Sequence, residues 1–508
     1  MSNLSELLPT GGGQNAVDFV ATGNLASGQA VALKTNGQVE AVTQVNYSQY
    51  LPWSSSTQFS SSTAGDCGLA YNPLDASRFV IVDNVSGCRL TVGTITDSGS
   101  SGSISYSTPV TVTSNSTEEC VIKFNAGTNK FVIMYADNSL TSGVTNLYSM
   151  SGTTLTLLDT ETFYSNNVGA LSMSFSDNTA GLYIMTYCER SGNTYPRART
   201  GYFSGSAITL GTEVVIESNN TRAYSGGRAV TFLYNSDSLA HIYNKNSSAS
   251  DYTGQGVIGT VSSNTGSNLT FGSITQWATD TNQGPTSLKI ASAEAANSFV
   301  IEYSWNEPGN YSSRLIPCTV SGTTITYGTP VVFAAWGANS PNDMQPYGSS
   351  YLLSYDGAYL GSNPQYGMYV RSFTVSGTSI SLGTQLQLIA PGSVGGNQNM
   401  SLGFSPNNAQ FGIAYRGVSN YGYTILGELA SSTTNITSFI GITSEAISSG
   451  ATGSINTFGG INTAQTGLTI ASDYYVQANG SLSTTSASPA VKVGQAISAT
   501  AINMKDLT

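Results

Sequence analysis

The pentapeptide FVIVD at Phe79–Asp83 is the first of seven copies of one short pattern, a turn followed by apolar-apolar-x-aromatic. The first residues of successive copies lie 52 to 60 positions apart. Seven copies at so steady a period indicate a repeat architecture. The later copies are FVIMY at Phe131–Tyr135, YIMTY at Tyr183–Tyr187, LAHIY at Leu239–Tyr243, FVIEY at Phe299–Tyr303, YLLSY at Tyr351–Tyr355 and FGIAY at Phe411–Tyr415.

Each copy sits in a longer unit with strand signals on both sides. A strand such as Leu171–Phe175 and a turn-rich run such as Ser176-Asp177-Asn178 come before it. A third strand follows, and then a Ser-Gly turn leads into alternating β-branched residues, as in SGTTITYGTPVVF from Ser321. These signals predict a four-stranded antiparallel meander in every unit.

A four-stranded meander cannot cover both of its faces alone, so the seven units must stack on one another. Closure into a ring protects the edge strands, and four-stranded units repeated in a ring describe a β-propeller. The sequence therefore predicts an all-β chain containing a seven-bladed β-propeller. Residues Val42–Tyr47 could supply an outer strand for the last blade and close the ring.

The two chain ends lie outside the repeat and resemble each other. GQAVALKTNGQVEAVT from Gly28 and SDYYVQANGSLSTT from Ser472 both predict a strand, an Asn-Gly hairpin and a strand. We expect them to pack as one small β-domain into which the propeller is inserted. The predicted segments are a flexible leader at 1–16, the first part of the small domain with a ring-closing strand at 17–52, the propeller at 53–438, and the second part of the small domain at 439–508.

Composition excludes several classes of protein. The 17 Lys and Arg residues are scattered singly against 28 Asp and Glu residues, so no basic stripe is available for nucleic acid. No apolar run is long enough for a membrane span, and Met1–Asn15 lacks the basic and apolar regions of a signal peptide. The five cysteines lie far apart and predict neither a disulfide framework nor a zinc site, so we expect small buried side chains.

The chain ends also carry a resemblance. FIGITSEAISSGATGSINTFGGINT from Phe439, GLTIASDYYVQANGSLSTT from Gly467 and VGQAISATAINM from Val493 resemble the C-terminal modules of tailed-bacteriophage tail fibres and related virion proteins. The opening stretch from Val17 is similar to the N-terminal part of the same modules and to small capsid-decorating β-domains. This resemblance covers about a quarter of the chain. It implies a virion structural protein assembled in the host cytoplasm, with other virion proteins as partners and a homo-oligomeric state.

Aromatic residues gather in the predicted connections. The segments between the second and third strands read as long loops, as in CERSGNTYPRART from Cys188 and DGAYLGSNPQYG from Asp356, and the segments between blades carry tryptophans. Trp, Tyr, Asn and Ser suit recognition of a sugar or a protein surface by stacking and adaptable hydrogen bonds. The alternative is a set of ordinary solvated loops. The candidate binding residues are Trp53, Tyr195, Tyr252, Trp277, Trp305, Tyr311, Trp336, Tyr359, Tyr366 and Tyr421.

Signals for catalysis are weak. The single histidine, His241, lies inside a predicted strand, which favours a core residue over a base or ligand. Glu118 and Glu119 are adjacent, so a strand would point them to opposite faces. The turn aspartates lack the alternating spacing of a Ca²⁺ loop and are typical of Asx turns. These turn aspartates are Asp75, Asp137, Asp177 and Asp237. The sequence thus predicts that the chain is not an enzyme and has no catalytic residue, metal or cofactor.

Three functions remain open from the sequence. The first is a tail fibre or appendage whose propeller faces a host-surface glycan or protein during attachment. The second is a capsid decoration or a tail-tube or nozzle component with the propeller as a spacer. The third is a propeller enzyme acting on surface polysaccharide.

Overall fold

Every copy of the apolar-apolar-x-aromatic motif lies within a β-strand in the computed structural model of the chain. The chain is all-β with antiparallel sheets; a 3₁₀ turn spans Ile436–Ser438, and no α-helix occurs among the described residues. The structure describes residues 15–34, 36–46, 51–52, 54–63, 65, 67–85, 87–97, 102–139, 141–190, 195–218, 228–248, 251–262, 268–280, 285–292, 297–307, 310–335, 343–347, 350–359, 365–394, 400–405, 410–417, 420–428, 432–486 and 490–505.

The chain divides into two compact units. The first, here called the end unit, consists of residues 1–48 and 430–508, and the second, the repeat unit, of residues 49–429. The first strands of the chain are β1 Ala16–Val20, β2 Ala30–Leu33, β3 Val39–Ala41, β4 Gln44–Asn46, β5 Leu51–Pro52 and β6 Thr57–Thr63.

The repeat unit contains four-stranded meanders whose last strand is in places split in two. Sheet one has β7 Cys67–Asn72, β8 Asp75–Asp83, β9 Cys88–Asp97, β10 Gly102–Tyr106 and β11 Val110–Thr113. Sheet two has β12 Thr117–Phe124, β13 Lys130–Asp137, β14 Ser142–Ser151 and β15 Thr154–Tyr164. Sheet three has β16 Val168–Phe175, β17 Leu182–Glu189, β18 Pro196–Ser204, β19 Ala207–Leu210 and β20 Val214–Val215.

The remaining sheets repeat this order. Sheet four has β21 Arg228–Phe232, β22 Ser238–Ser248, β23 Asp251–Val261, β24 Leu269–Phe271 and β25 Thr275–Asp280. Sheet five has β26 Pro285–Ala291, β27 Ser298–Glu307, β28 Asn310–Ser321, β29 Thr324–Tyr327 and β30 Val331–Ala335. Sheet six has β31 Asp343–Tyr347, β32 Ser350–Tyr359, β33 Gln365–Ser376 and β34 Ser379–Val394. Sheet seven has β35 Met400–Phe404, β36 Gln410–Arg416 and β37 Tyr421–Glu428.

Sheet seven takes its outer strands from the start of the repeat unit. Both β5 and β6 pair with β37, with Gln58 opposite Tyr423. The prediction that Val42–Tyr47 supplies this strand is wrong, because β4 pairs with a strand of the end unit instead. In the strand Thr57–Thr63, polar residues flank Phe59. This strand pairs with the edge of β37 that would otherwise lack a hydrogen-bonded neighbour.

In the end unit, two of the three sheets combine strands from both chain ends. The two Asn-Gly hairpins form as predicted, with Gly37 and Gly480 at positive φ of 79° and 81°. One sheet has the order β1-β40-β39-β2-β3, a second pairs β38 with β4, and a third has the order β41-β45-β44-β42-β43. The later strands are β38 Ser432–Thr434, β39 Phe439–Thr443, β40 Thr452–Thr457, β41 Ile461–Asn462, β42 Asp473–Gln477, β43 Leu482–Ser483, β44 Ala490–Ala496 and β45 Ile502–Met504.

The core of the repeat unit lies between consecutive sheets. The motif strands alternate their side chains between the two neighbouring sheets, so Val80 packs toward sheet two while Phe79 and Ile81 pack with Ala414 of sheet seven. All three motif residues are fully buried. Burial of a side chain of this size contributes roughly 1.5–3 kcal/mol, so the motif strands account for much of the packing. All five cysteines are buried, as predicted, and no disulfide joins them in the described part of the chain.

Candidate functional site

A cavity of about 330 Å³ lies within the repeat unit, and the first strands of all seven sheets contribute to its wall. Its polar surface comes from hydroxyl, amide and charged side chains, and Phe124, Phe175 and Phe232 also contribute to the wall while packing in the cores between sheets. The volume falls in the range of small-ligand sites, roughly 300–1,000 Å³. The polar and aromatic lining includes Lys123, Phe124, Ser172, Ser174, Phe175, Asp177, Arg228, Thr231, Phe232, Lys289, Ser292, Asp343, Gln345 and Ser401.

Side chains on the first strands tie neighbouring sheets together around the cavity. An edge strand presents backbone N–H groups that need acceptors. Here a hydroxyl or carboxylate on one first strand accepts a hydrogen bond from an N–H of the next. The bonds run from Val230 to Ser172 (3.1 Å), from Phe232 to Ser174 (3.2 Å), from Leu402 to Asp343 (2.7 Å) and from Leu69 to Ser401 (2.9 Å).

Five charged residues line the cavity. Burial lowers the pKa of Lys123, the carboxylate of Asp343 opposes this shift, and the ammonium of Lys289 adds to it. These causes place the three groups within electrostatic range of one another. Burial raises the pKa of Asp177. The cavity therefore holds one cation, Lys123, and one carboxylic acid, Asp177, whose pKa values are shifted, a combination that occurs often at functional sites.

Arg228 continues the charged wall into the core between sheets three and four. It is 5% exposed and lies opposite Tyr243 in the register of β21 and β22. Burial, and secondarily the nearby Arg228 guanidinium, lowers the pKa of His241 to about 3. The imidazole is fully buried and stacks on Tyr243 with ring centroids 5.4 Å apart. His241 is thus a neutral core residue at ordinary pH, as the sequence predicted.

Most predicted binding residues lie in strands instead of loops. The second and third strands of sheets four, five and six extend as paired hairpins, which place Asn246 opposite Tyr252 and Asn306 opposite Tyr311. The prediction of long loops here is wrong, because backbone pairing continues through the polar residues. Trp53 and Trp336 lie outside the described residues, while Tyr252, Trp305, Tyr311, Tyr359 and Tyr366 lie on these extended hairpin strands.

Trp277 belongs to the interior of the repeat unit. It lies on β25, its ring covers Gly254, and it meets Tyr303 edge to face at 5.1 Å between centroids. Its indole packs against the core between sheets four and five. Half-buried Tyr195 precedes β18, and half-buried Tyr421 begins β37. None of these three side chains lines the cavity.

The side chains of Glu118 and Glu119 do not point to opposite faces of a strand, contrary to the prediction from the sequence. A register irregularity between Thr117 and Cys120 interrupts the alternation of β12. Both carboxylates consequently reach Arg190, and Glu119 accepts hydrogen bonds from the backbone N–H groups of Ala170 and Leu171 (2.9 and 2.7 Å). A β-bulge of this kind turns adjacent side chains toward one side. The pair anchors sheet two to sheet three.

Among the turn aspartates, Asp75 behaves as an Asx residue and accepts hydrogen bonds from Ser77. Asp237 instead receives side-chain hydrogen bonds from Ser176, Asn178 and Thr179 of the neighbouring sheet. Across the described residues, no cluster of three or more His, Cys, Asp or Glu side chains could hold a metal ion. No helix in that part of the chain is both long and apolar enough to cross a membrane.

Four residues of the cavity were not predicted from the sequence: Lys123, Arg228, Lys289 and Asp343. One signal was available: a charged residue inside a first strand, as in VIKF at 121–124 and SLKI at 287–290, in a chain with only 9% charged residues. Charges are rarely buried in a core strand without a partner or a role.

No protein-family model matches the chain. No curated protein matches it either. A lectin from Burkholderia pseudomallei is similar in structure, with a TM-score of 0.50 at 8% identity over 73% of this chain and 99% of the lectin. An oligogalacturonate lyase in complex with manganese gives a TM-score of 0.42 at 11% identity over 80% of this chain and 99% of the lyase. A protein from Bacteroides uniformis described as a 6-phosphogluconolactonase gives 0.41 at 11% identity over 64% and 86%.

These likenesses show the fold alone: the repeat unit is β-propeller-like. One prediction is corrected. The expectation that the chain is not an enzyme is wrong as an exclusion, because proteins that share one fold include both enzymes and binding proteins. A β-propeller-like fold is thus compatible with catalysis, and activity has to be judged from the site.

Proposed function

We propose that the chain is a seven-bladed β-propeller that engages a surface polysaccharide through its cavity. The seven blades are supported by the packing of consecutive sheets. Phe79 and Ile81 of sheet one share an apolar cluster with Ala414 and Leu426 of sheet seven. The first strands β35 and β7 are also in contact. These contacts are what closure of a ring requires.

The lining of the cavity is the observation that supports a saccharide as the ligand. Hydroxyl, amide and ammonium groups line the cavity, and Phe124, Phe175 and Phe232 also contribute to its wall. Sugars are recognised by this combination, because hydroxyls need several hydrogen-bonding partners and pyranose faces pack on aromatic rings. A cavity of about 330 Å³ has room for a monosaccharide unit.

Turnover of the polysaccharide is the second candidate. It is favoured by Lys123, whose pKa is lowered, and by Asp177, whose pKa is raised, in the same cavity. An amine that loses its proton more readily is a stronger candidate for a base, and a carboxylic acid that keeps its proton is a stronger candidate for an acid. Acid and base together can promote cleavage of a glycosidic bond.

The test has two readouts on one purified protein. Calorimetry with a panel of bacterial surface polysaccharides and their oligosaccharides measures binding, and assays for new reducing ends and for unsaturated products measure cleavage. Binding without products supports a recognition role, and products support the enzyme. Failure of every glycan in the panel to bind would remove the proposal.

A place in a phage particle is a separate proposal. Its support is the resemblance of residues 439–508 to tail-fibre modules, and it makes the end unit the attachment to other virion proteins. Electron microscopy of particles carrying a labelled chain measures position and copy number together. Small symmetric sets on the tail indicate a fibre or nozzle component, and a capsid lattice indicates decoration. Absence of the labelled chain from the purified particles would contradict this proposal.

A further inference from the structure

Two lysines of the cavity stand without a carboxylate partner. Among the residues that the structure describes, neither Lys123 nor Lys289 forms an ion pair. Other lysines of the chain do: Lys34 binds Glu40 at 3.0 Å, Lys492 binds Asp473 at 2.8 Å, and Lys245 binds Glu217. Neither ammonium group is therefore neutralised by a direct ion pair in the described part of the chain, although the carboxylate of Asp343 attracts Lys123 more strongly than Lys289 repels it.

The two ammonium groups repel each other. The effect is visible at Lys123, because burial and the charge of Lys289 both lower its pKa. Charges interact more strongly in a partly enclosed cavity than in open water. Two like charges in one cavity cost free energy unless a counter-charge occupies the space between them.

The carboxylates of the cavity do not supply that counter-charge fully. Asp343 directs one oxygen to the backbone N–H of Leu402 at 2.7 Å and the other to the N–H of Met344 at 2.9 Å. Both oxygens of Asp343 thus accept hydrogen bonds from the backbone, although its negative charge still raises the pKa of Lys123. Asp177 is exposed to solvent, and its pKa is raised, so its carboxyl group takes up a proton more readily than an ordinary aspartate.

We propose that the saccharide bound in this cavity carries a carboxylate, as a uronic acid does, and that Lys123 and Lys289 bind this group. The inference rests on the proposed function, since it assigns a charge to the same ligand. An anionic oxygen accepts charge-assisted hydrogen bonds from both ammonium groups and removes their repulsion. The side-chain amide of Gln345, which also lines the cavity, remains for the neutral part of the sugar.

The test uses a matched pair of probes, a glucuronic acid tetrasaccharide and its methyl ester, in which esterification removes the negative charges and adds only methyl groups. Inorganic phosphate is the third probe. Calorimetry is run on the full chain, on Lys123→Gln, on Lys289→Gln and on the double variant. Lys34→Gln removes the same charge from the end unit and is the control. Circular dichroism and thermal unfolding confirm that each variant folds.

We expect the acid to bind the full chain at least about tenfold more tightly than the ester. Each single variant lowers affinity for the acid about tenfold, the double variant binds acid and ester equally, and Lys34→Gln changes neither. Equal binding of acid and ester to the full chain would overturn the carboxylate preference and leave saccharide binding intact. Binding of phosphate alone, with neither saccharide, would overturn both.

Discussion

The carboxylate of Asp343 on β31 accepts a hydrogen bond of 2.7 Å from the backbone N–H of Leu402 on β35. The donor lies 59 residues further along the chain, in the first strand of the next sheet. Ser172 has the same role, because its hydroxyl accepts a hydrogen bond from the backbone N–H of Val230. Side chains of the first strands therefore complete the backbone hydrogen bonding that strand pairing leaves open, and this fixes neighbouring sheets around the cavity.

Replacing Asp343 by alanine leaves the N–H groups of Leu402 and Met344 without their acceptor. An unsatisfied buried donor costs about 1–3 kcal/mol, so we expect a loss of that size in the free energy of unfolding. Asp343→Asn keeps one acceptor oxygen and should lose less. Urea unfolding of the three proteins measures the order. An alanine variant as stable as the parent chain would show that the bond contributes nothing.

The register shows a second feature of some copies of the motif. In these copies the first aromatic residue lies opposite a glycine of the following strand, as Phe79 lies opposite Gly93 and Tyr183 opposite Gly201, whereas Phe131 lies opposite Tyr148. A Cβ at either glycine would overlap the ring that covers it. Glycine is therefore needed here for close approach and not for an unusual backbone conformation. The sequence shows both residues but not that they face each other.

We expect Gly93→Ala to cost about 1–3 kcal/mol by overpacking. Phe79→Leu removes the ring that causes the overlap, so the double variant should be less destabilised than the sum of the two single changes. A double-mutant cycle from urea unfolding measures this coupling. Strictly additive effects would mean that the ring does not constrain residue 93.

Strands such as Phe131–Tyr135 are predictable from the sequence because burial between two sheets demands near-continuous apolar residues. The extended hairpins around Asn246 and Asn306 are not, since a run of polar residues without an apolar period resembles a loop in the sequence. The cavity could not be assembled from the sequence either. Lys123 and Lys289 lie 166 positions apart by subtraction and share a wall only once the sheets are stacked.

The strand β6 offers a test of how sheet seven is completed. Phe59 is 9% exposed, covers Gly422 on β37 and meets Tyr106 edge to face at 6.2 Å. Phe59→Ala should weaken the β6–β37 pairing by a few kcal/mol. Amide exchange within Tyr421–Glu428 should then accelerate at least about tenfold, whereas exchange in β17 should not change.

The control for that experiment is Leu157→Ala, because Leu157 is 50% exposed and its truncation opens no core. Hydrogen exchange followed by mass spectrometry resolves the two regions. Uniform acceleration in β17 and β37 would show that Phe59 stabilises the whole repeat unit and not the pairing of one strand.

His241 predicts an acid-dependent loss of stability. Its folded pKa is lowered to about 3, below the usual value of 6.5, so the unfolded chain binds a proton that the folded chain excludes. The contribution of neutral His241 is complete above pH 6.5 and is lost as the pH falls from 6.5 toward 3, at up to about 1.4 kcal/mol per pH unit. His241→Phe keeps a ring that can stack on Tyr243 and removes this titration. Urea unfolding between pH 7 and pH 4 should therefore give a shallower acid slope for the variant than for the parent chain, and identical slopes would show that His241 is protonated at little cost in the folded protein.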